Sequence, residues 1–273
     1  MVTEDRFERQ SFLGATAQTS IERARVGIVG LGGGGSHIVQ QLAHLGFRRF
    51  EVFDPDIAED SNLNRLVGAT VADVAAERLK VEIAERLIRG LRAHAEVGAH
   101  AERWQDNPAP LRSCDLVFGC LDSFAGRREL EICARRYLVP LIDIGMDVHL
   151  VEPEPPRVVG QVILSMPGGP CMQCLGFLSE ETLAREAAEY GDAGPRPQVV
   201  WPNGILASTA VGVAVDLLTD WSRSLREVVY LSYDGNARTL EPHTRLRFLK
   251  YEPCPHFPLD EVGDPRLSET ATR

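Results

Sequence analysis

The sequence predicts an α/β fold: a mainly parallel sheet with an antiparallel C-terminal extension. Three observations predict it. Short β-branched runs alternate with amphipathic, helix-length stretches through the first half of the chain. A glycine cluster, Gly30-Leu31-Gly32-Gly33-Gly34-Gly35, sits between the first such strand and the first such helix. Beyond about residue 155 the apolar residues switch to strand-like alternation. Strands alternating with helices require right-handed crossovers, and hence parallel neighbours covered on both faces.

Taken in order, Arg25–Gly30 is β-branched and ends in glycine, the pattern of a buried strand. Ser36–Leu45 follows with helical spacing at Ile38, Leu42 and Leu45, and Gly46 stops it. Phe50–Phe53 is a second strand, closed by Asp54-Pro55-Asp56. Val71–His94 reads as one long helix. Cys114–Gly119 and Leu138–Asp143 are further strands, with Arg127–Tyr137 helical between them. In the second half, Val159–Ser165, Val228–Ser232, Thr239–Glu241 and Arg245–Leu249 read as antiparallel strands. Helices are expected at Ser179–Tyr190 and Ile205–Trp221, and the charged tail from Asp260 has little to bury.

Composition narrows the function classes. The chain has 273 residues, 44% of them hydrophobic and 25% charged, ordinary for a globular protein able to bury its own core. Lys and Arg total 29 against 39 Asp and Glu, a net charge of −10 that argues against general nucleic-acid or anionic-membrane binding. The N-terminus lacks the basic-apolar-small pattern of a secretory signal. No uninterrupted apolar run approaches roughly 18 residues, so no spanning helix is expected. Six cysteines in so long a chain do not read as a disulfide framework. The expectation is a cytoplasmic protein.

Gly30, Gly32 and Gly35 satisfy G-x-G-x-x-G between a strand and a helix. Such a loop lets backbone approach a phosphate closely, and the helix N-terminus offers free N–H groups with partial positive charge. Asp54 ends the next strand, where a carboxylate grips ribose hydroxyls. No G-x-x-x-x-G-K-[ST] occurs, which excludes a P-loop ATPase. A nicotinamide dinucleotide and ATP both fit the loop. Asp56, then Ser61-Asn62-Leu63-Asn64-Arg65, and then Lys80 on the next helix favour a triphosphate. Lys80 shares a helical stripe with Ile83, Ala84, Leu87 and Leu91, so it either snorkels or meets an anion. Asp122 follows a core strand at the carboxyl edge of the sheet, where a carboxylate can hold Mg²⁺. Cys171-x-x-Cys174 follows the tight turn Pro167–Pro170, which suits a metal.

In these motifs, together with Arg6-Phe7-Glu8-Arg9-Gln10 and Cys120-Leu121-Asp122-Ser123, the chain resembles the MoeB/ThiF/HesA group, bacterial relatives of ubiquitin-activating enzymes. The resemblance covers residues 6–257. It implies a Rossmann-like ATP-binding fold and one ThiF-type adenylation domain over 1–260. A nucleotide-binding half occupies about 20–150 and a carrier-binding, zinc-bearing half about 151–260, with 261–273 a mobile tail. It implies ATP-dependent adenylation of the C-terminal glycine of a ubiquitin-like or sulfur-carrier protein. Gly33 would pack on the nucleotide and Asp54 hold the ribose, with Asp56 and Ser123 beside it. Asn62, Arg65 and Lys80 would neutralise phosphates and Asp122 would hold Mg²⁺. Arg9 would reach the neighbouring site of a homodimer. Family members often close a zinc site with a second C-x-x-C. This chain offers Cys254-Pro255-His256 instead, so Cys171, Cys174, Cys254 and His256 are the expected structural zinc ligands. Leu175–Asn203 contains no cysteine, so no thioester on this chain is expected. Cys114, Cys120 and Cys133 are expected in the core. Arg196–Gly204 is a candidate for guiding substrate. An NAD(P)-dependent oxidoreductase, or adenylation of a tRNA base, is the alternative.

Overall fold

The computed structural model describes residues 5–150, 152–188, 197–219, 221–222, 228–249 and 254–257. One sheet of eight strands runs β3-β2-β1-β4-β5-β6-β7-β8, comprising β1 (Arg25–Val29), β2 (Arg49–Phe53), β3 (Glu96–His100), β4 (Leu116–Gly119), β5 (Leu141–His149), β6 (Arg157–Ser165), β7 (Val229–Asp234) and β8 (Thr239–Pro242). The first five in sequence pair parallel, with Val26 opposite Phe50 and Leu116. From β5 onward the pairing is antiparallel. The predicted parallel half and antiparallel extension are therefore continuous in one sheet.

One face is covered by α1 (Ala17–Arg23), α2 (Gly33–Leu45), α4 (Lys80–Leu91) and α7 (Val200–Leu218). Ile28, Ile38, Leu42, Phe50 and Phe118 are fully buried there. The other face carries α5 (Phe124–Arg136), whose Leu130 and Cys133 pack with Val117 and Leu141 of the sheet. A further helix, α6 (Glu180–Ala188), lies against α5. Residues 189–190, the expected end of the Ser179–Tyr190 helix, and the tail from Asp260 lie outside the described residues.

Four expectations need correction. The single helix Val71–His94 is two: α3 (Val71–Ala75) and α4, separated by a turn in which Glu77 takes φ +47°. The break has a tertiary cause. Ala58 N–H donates to Arg78 O (2.8 Å) and Lys80 N–H to Asp56 O (2.9 Å), drawing residues 78–80 onto 56–58. Lys80 thus starts α4 at the sheet edge rather than riding mid-helix. Arg245–Leu249 is a 3-10 turn, Thr244–Phe248, not a strand; His243 Nδ1 caps it by accepting from Arg245 N–H at 3.1 Å. Strand β3 was not expected, because Glu96-Val-Gly-Ala-His100 carries little β-branched signal at the sheet edge. Leu138–Val139 belongs to the turn before β5, with Leu138 at φ +59°.

Helix α7 begins five residues before the expected Ile205. Pro202 is tolerated there because it lies in the first turn, where its missing N–H has no intrahelical partner to lose. By length and composition alone, α7 reaches what a bilayer crossing needs. Its Leu206, Ala207, Ala210, Val211, Ala214 and Val215 are buried in the core against α2, β5 and β6, so core packing accounts for its apolarity.

Candidate functional site

A cleft of about 350 Å³ opens at the carboxyl ends of β1, β2, β4 and β5. It lies at the switch point where strand order reverses on either side of β1, the usual ligand position in such sheets, and its volume falls within the roughly 300–1,000 Å³ of small-molecule sites. Gly30, Gly32, Gly33, Asp54, Asp56, Asn62, Arg65, Lys80, Asp122 and Ser123 all line it. Residues up to 93 positions apart in sequence are thereby brought together: Gly30 from the first βα turn and Ser123 at the start of α5.

Gly30 takes φ +89°, and a Cβ there would stand 2.4 Å from Cys120 O. Only glycine fits both the left-handed backbone and this contact between the β1 and β4 ends. At Gly33 an added Cβ would meet Asn203 Nδ2 at 2.5 Å, because α7 packs its buried Asn203 onto the loop. Gly32 is the N-cap of α2. Gly35 does not line the cleft; it packs behind the loop against Gly30 O.

Asp54 is 6% exposed. Its Oδ2 accepts from Leu31 N–H at 2.7 Å and its Oδ1 from Asp56 N–H at 3.0 Å. Lys80 Nζ stands 3.7 Å from Asp54 Oδ1 and 2.7 Å from Asp56 Oδ2. Burial pushes the Asp54 carboxyl above its ordinary value, while Lys80 and the two amides oppose that. Lys80 therefore meets anions; it does not snorkel. Asn62 is buried and closes a reciprocal turn with Glu59, its Oδ1 accepting from Glu59 N–H at 3.2 Å. Arg65 is held by Ser61 O (2.5 Å) and Asn64 Oδ1 (2.9 Å).

Ser123 caps α5, accepting from Gly126 N–H at 3.0 Å. Asp122 beside it is exposed and receives Gln198 Nε2 at 3.5 Å, while Asn64 Nδ2 donates to Gln198 O at 3.0 Å. Gln198 thus bridges Asn64 and Asp122 across the cleft. Arg196, the first residue of the Arg196–Gly204 stretch, lies outside the described residues.

Arg9 is not in the cleft. It is exposed on the N-terminal 3-10 segment Asp5–Leu13, whose Arg6 and Gln10 bond the carbonyls of Leu91 and Leu45 at the far ends of α4 and α2. Its own cleft is at the opposite end of those helices.

Sequence reasoning missed Arg127 and Trp104, both of which line the cleft. Arg127 is buried and bonds Asp143, Ile144 O (3.0 Å) and Leu121 O. Burial pushes Asp143 up to about 6 against the pull of Arg127. Nothing in the local pattern distinguishes Arg127 from a solvated helix residue; only the α5 packing buries it.

A second cluster lies apart from this cleft. Cys171, Cys174, Cys254 and His256 bring one ligand atom each within 4.8 Å of one another. Cys174 Sγ is 3.6 Å from both Cys171 and Cys254 Sγ, and His256 Nδ1 is 3.4 Å from Cys171 and Cys174 and 3.9 Å from Cys254. A tetrahedral ion with Zn–S near 2.3 Å has S···S edges of about 3.8 Å, so this donor set fits zinc. His256 joins the thiols despite the short Cys-x-His spacing. Elsewhere, burial pushes the Cys133 thiol up to about 12 and raises Cys114 and Cys120 as well, which suits packing and not nucleophilic attack.

The ThiF family pattern matches residues 6–252. This chain belongs to the ThiF family. It is 31% identical over 222 residues to the sulfur carrier protein adenylyltransferase of Thermus thermophilus, covering 78% of each chain. It is 29% identical over 243 residues to the SAMP-activating enzyme E1 of Haloferax volcanii, covering 87% of this chain and 83% of that protein. With the adenylyltransferase and sulfurtransferase uba4 of Aspergillus niger it shares 30% identity over 200 residues, 71% of this chain but 40% of that protein. The chain therefore spans about two fifths of that fungal relative. Among solved structures, E. coli MccB with ATP superposes with a TM-score of 0.73 at 18% identity, covering 96% of this chain and 75% of that one. That likeness concerns the fold. Membership in the ThiF family favours adenylation over the nicotinamide oxidoreductase.

Proposed function

We propose that this ThiF-family chain is an ATP-dependent adenylyltransferase that activates the C-terminal glycine carboxylate of a ubiquitin-like or sulfur-carrier protein. The observation that carries the reading is the convergence of the glycine loop, Asp54, Lys80, Asn62, Arg65 and Asp122 on one cleft. Relatives named as sulfur carrier protein adenylyltransferase and SAMP-activating enzyme supply the substrate class. Residues 1–260 act as one adenylation domain.

In this reading the carboxylate attacks the α-phosphate of ATP, giving an acyl-adenylate and releasing pyrophosphate. Such a reaction needs positioning and neutralisation of developing charge more than a covalent group on the enzyme. The Gly30–Gly33 backbone and the α2 N-terminus receive the phosphates. Asp54, held rigid by two amides, takes the ribose hydroxyls. Asn62, Arg65 and Lys80 neutralise the phosphate oxygens, with Lys80 already poised between two carboxylates. Asp122 would hold Mg²⁺ through its carboxylate, and an ion there would supply further charge neutralisation to the phosphates. Gln198, bridging the cleft, guides the incoming C-terminal tail.

Arg9 completes the site only from a second subunit, since its own cleft lies at the other end of α2 and α4. Exposed Phe12 (70%), packed edge-on against Trp221 at 6.0 Å, gives the Arg9 segment an apolar face, and exposed Trp201 (58%) gives the cleft end of α7 another; the two support a homodimer contact between the Arg9 segment of one subunit and the cleft end of its partner. Cys171, Cys174, Cys254 and His256 would hold a structural zinc. No thioester forms on Cys114, Cys133 or the half-buried Cys120 beside the cleft.

ATP–pyrophosphate exchange with carriers ending in Gly-Gly tests the reading. Exchange is expected with at least one carrier and should be lost in Asp122→Ala. Exchange that survives unchanged in Asp122→Ala and Lys80→Ala refutes the site assignment.

A further inference from the structure

Helix α5 carries three buried charged residues that the reaction above does not use as ligands: Arg127, Glu131 and Arg135. Their four-residue spacing puts them on one face of the helix, and they are 7%, 1% and 5% exposed. Buried charges are uncommon and survive only when each is paired and hydrogen-bonded. All three are.

Glu131 Oε1 accepts from Ser165 Oγ at 2.5 Å and from Met172 N–H at 2.8 Å. Arg135 donates to Ser165 Oγ through Nε (3.0 Å) and Nη2 (2.9 Å), to Gly169 O through Nη1 (2.9 Å) and to Pro170 O through Nη2 (2.8 Å). Its guanidinium also lies 4.9 Å over the Phe257 ring, next to His256. At the other end of the row, Arg127 holds Leu121 O, the residue before Asp122. The two ends therefore grip different sites. One holds the 169–172 turn that presents Cys171; the other holds the turn that presents Asp122.

We propose that Glu131, with Arg135, is a positioning residue for the Cys171–Cys174 metal cluster, and that the buried row on α5 carries the state of that cluster to the nucleotide cleft. The inference rests on the metal and nucleotide readings above. The Met172 amide bonded by Glu131 belongs to the peptide unit that follows Cys171, so this bond orients the ligand's backbone directly. A metal draws four donors to one point and so orders the 169–172 turn that Arg135 and Glu131 hold. A helix is stiff along its axis, and Arg127 and Arg135 are eight residues, about 12 Å, apart on one rod. An ordered turn at one end then favours one placement of Leu121–Asp122 at the other.

Two measurements on the full chain test this. Cobalt(II) titration, followed by thiolate-to-cobalt and d–d absorption, reads the geometry and affinity of the cluster. Glu131→Gln is expected to weaken cobalt binding about 10- to 100-fold, the usual effect of losing a partner behind a metal ligand. Ser165→Ala, a smaller change at the same junction, should weaken it in the same direction and altered spectra should accompany both. Unchanged affinity and spectra in both folded variants overturn the positioning role. Binding of a fluorescent ATP analogue, with zinc bound and after stripping, reads the transmission. Wild type should bind it at least about fivefold more weakly without zinc, and zinc should bind more weakly by the same factor without nucleotide, since coupling is reciprocal. In Glu131→Gln the factor should fall below about two. Nucleotide affinity indifferent to zinc in wild type overturns the transmission. If zinc-loaded wild type binds no ATP analogue, the adenylation reading falls together with the transmission, and the cobalt titration alone still decides the role of Glu131.

Discussion

Replacing Lys80 by Met removes the charge but keeps most of the alkyl stem, so packing is largely preserved. The pair at stake is Lys80 with Asp54, 3.7 Å apart, with side chains 11% and 7% exposed. At an effective permittivity of about 20, unit charges at that distance attract by roughly 4–5 kcal/mol. Part of this is offset, because the lysine itself no longer has to be desolvated and Asp54 keeps its Leu31 and Asp56 amides. The Asp56 contact adds little, since that carboxylate is 63% exposed. A net destabilisation of about 3 kcal/mol at pH 7 is expected. Its pH dependence has a definite sign. Burial already holds the folded Asp54 pKa above its unfolded value, and losing Lys80 raises it further. Stability from such a group is complete below the unfolded pKa of about 3.9 and is lost as pH rises through the folded one. The penalty of Lys80→Met should therefore shrink below about 1 kcal/mol at pH 4.5. Urea unfolding at the two pH values measures it. A penalty under about 0.5 kcal/mol at pH 7, or one equal at both, refutes the argument. Pyrophosphate exchange by the same variant should fall at least about 100-fold, reporting the separate loss of phosphate neutralisation.

The other expectations are narrower. Gly30→Ala combines φ +89° with a Cβ 2.4 Å from Cys120 O, so a loss of about 3 kcal/mol is expected in thermal or urea unfolding, whether or not nucleotide is present. A variant as stable as wild type counts against the described loop. Arg9→Ala should fold normally yet lose exchange. Mixed one to one with Lys80→Met, it should regain about a quarter of wild-type activity, because half the dimers are mixed and each has one intact site; no recovery on subunit exchange rules out donation in trans. One zinc per chain is expected by elemental analysis, falling in His256→Ala, with a lower melting temperature after chelation. Asp143→Asn leaves Arg127 buried without its counter-charge and should cost about 3 kcal/mol at pH 7, read by urea unfolding.

Much of this protein is legible without its fold. Arg25–Val29, the glycines after it and Asp54 at the end of β2 announce themselves locally, because strand, tight turn and helix start are short-range matters of backbone preference and apolar spacing. The parallel-then-antiparallel order of the sheet follows from the change in periodicity near β6. The Cys171-x-x-Cys174 turn is equally local. Other features escape such reading. The apolar spacing of Val71–His94 is continuous, yet the chain breaks at Glu77 because residues 56–58 bond residues 78–80. Leu246 and Phe248 alternate like strand residues, but β8 ends at Pro242 and the chain turns instead. Arg127, Glu131 and Arg135 read as ordinary helix charges until the sheet and the 169–172 turn close over them.

The division is physical. By itself the sequence determined which chemistry is available: a glycine loop able to approach phosphate, carboxylates and cations of the right kinds after it, and three thiols and an imidazole. Backbone preference and side-chain type are properties of each residue and its near neighbours. Only the tertiary structure decided which of these groups meet. It set Lys80 between Asp54 and Asp56, brought His256 to the thiol of Cys171, 85 residues away, kept Arg9 out of its own cleft and buried the charged row of α5. Those outcomes depend on long-range pairing and on the exclusion of water, and no local pattern encodes either.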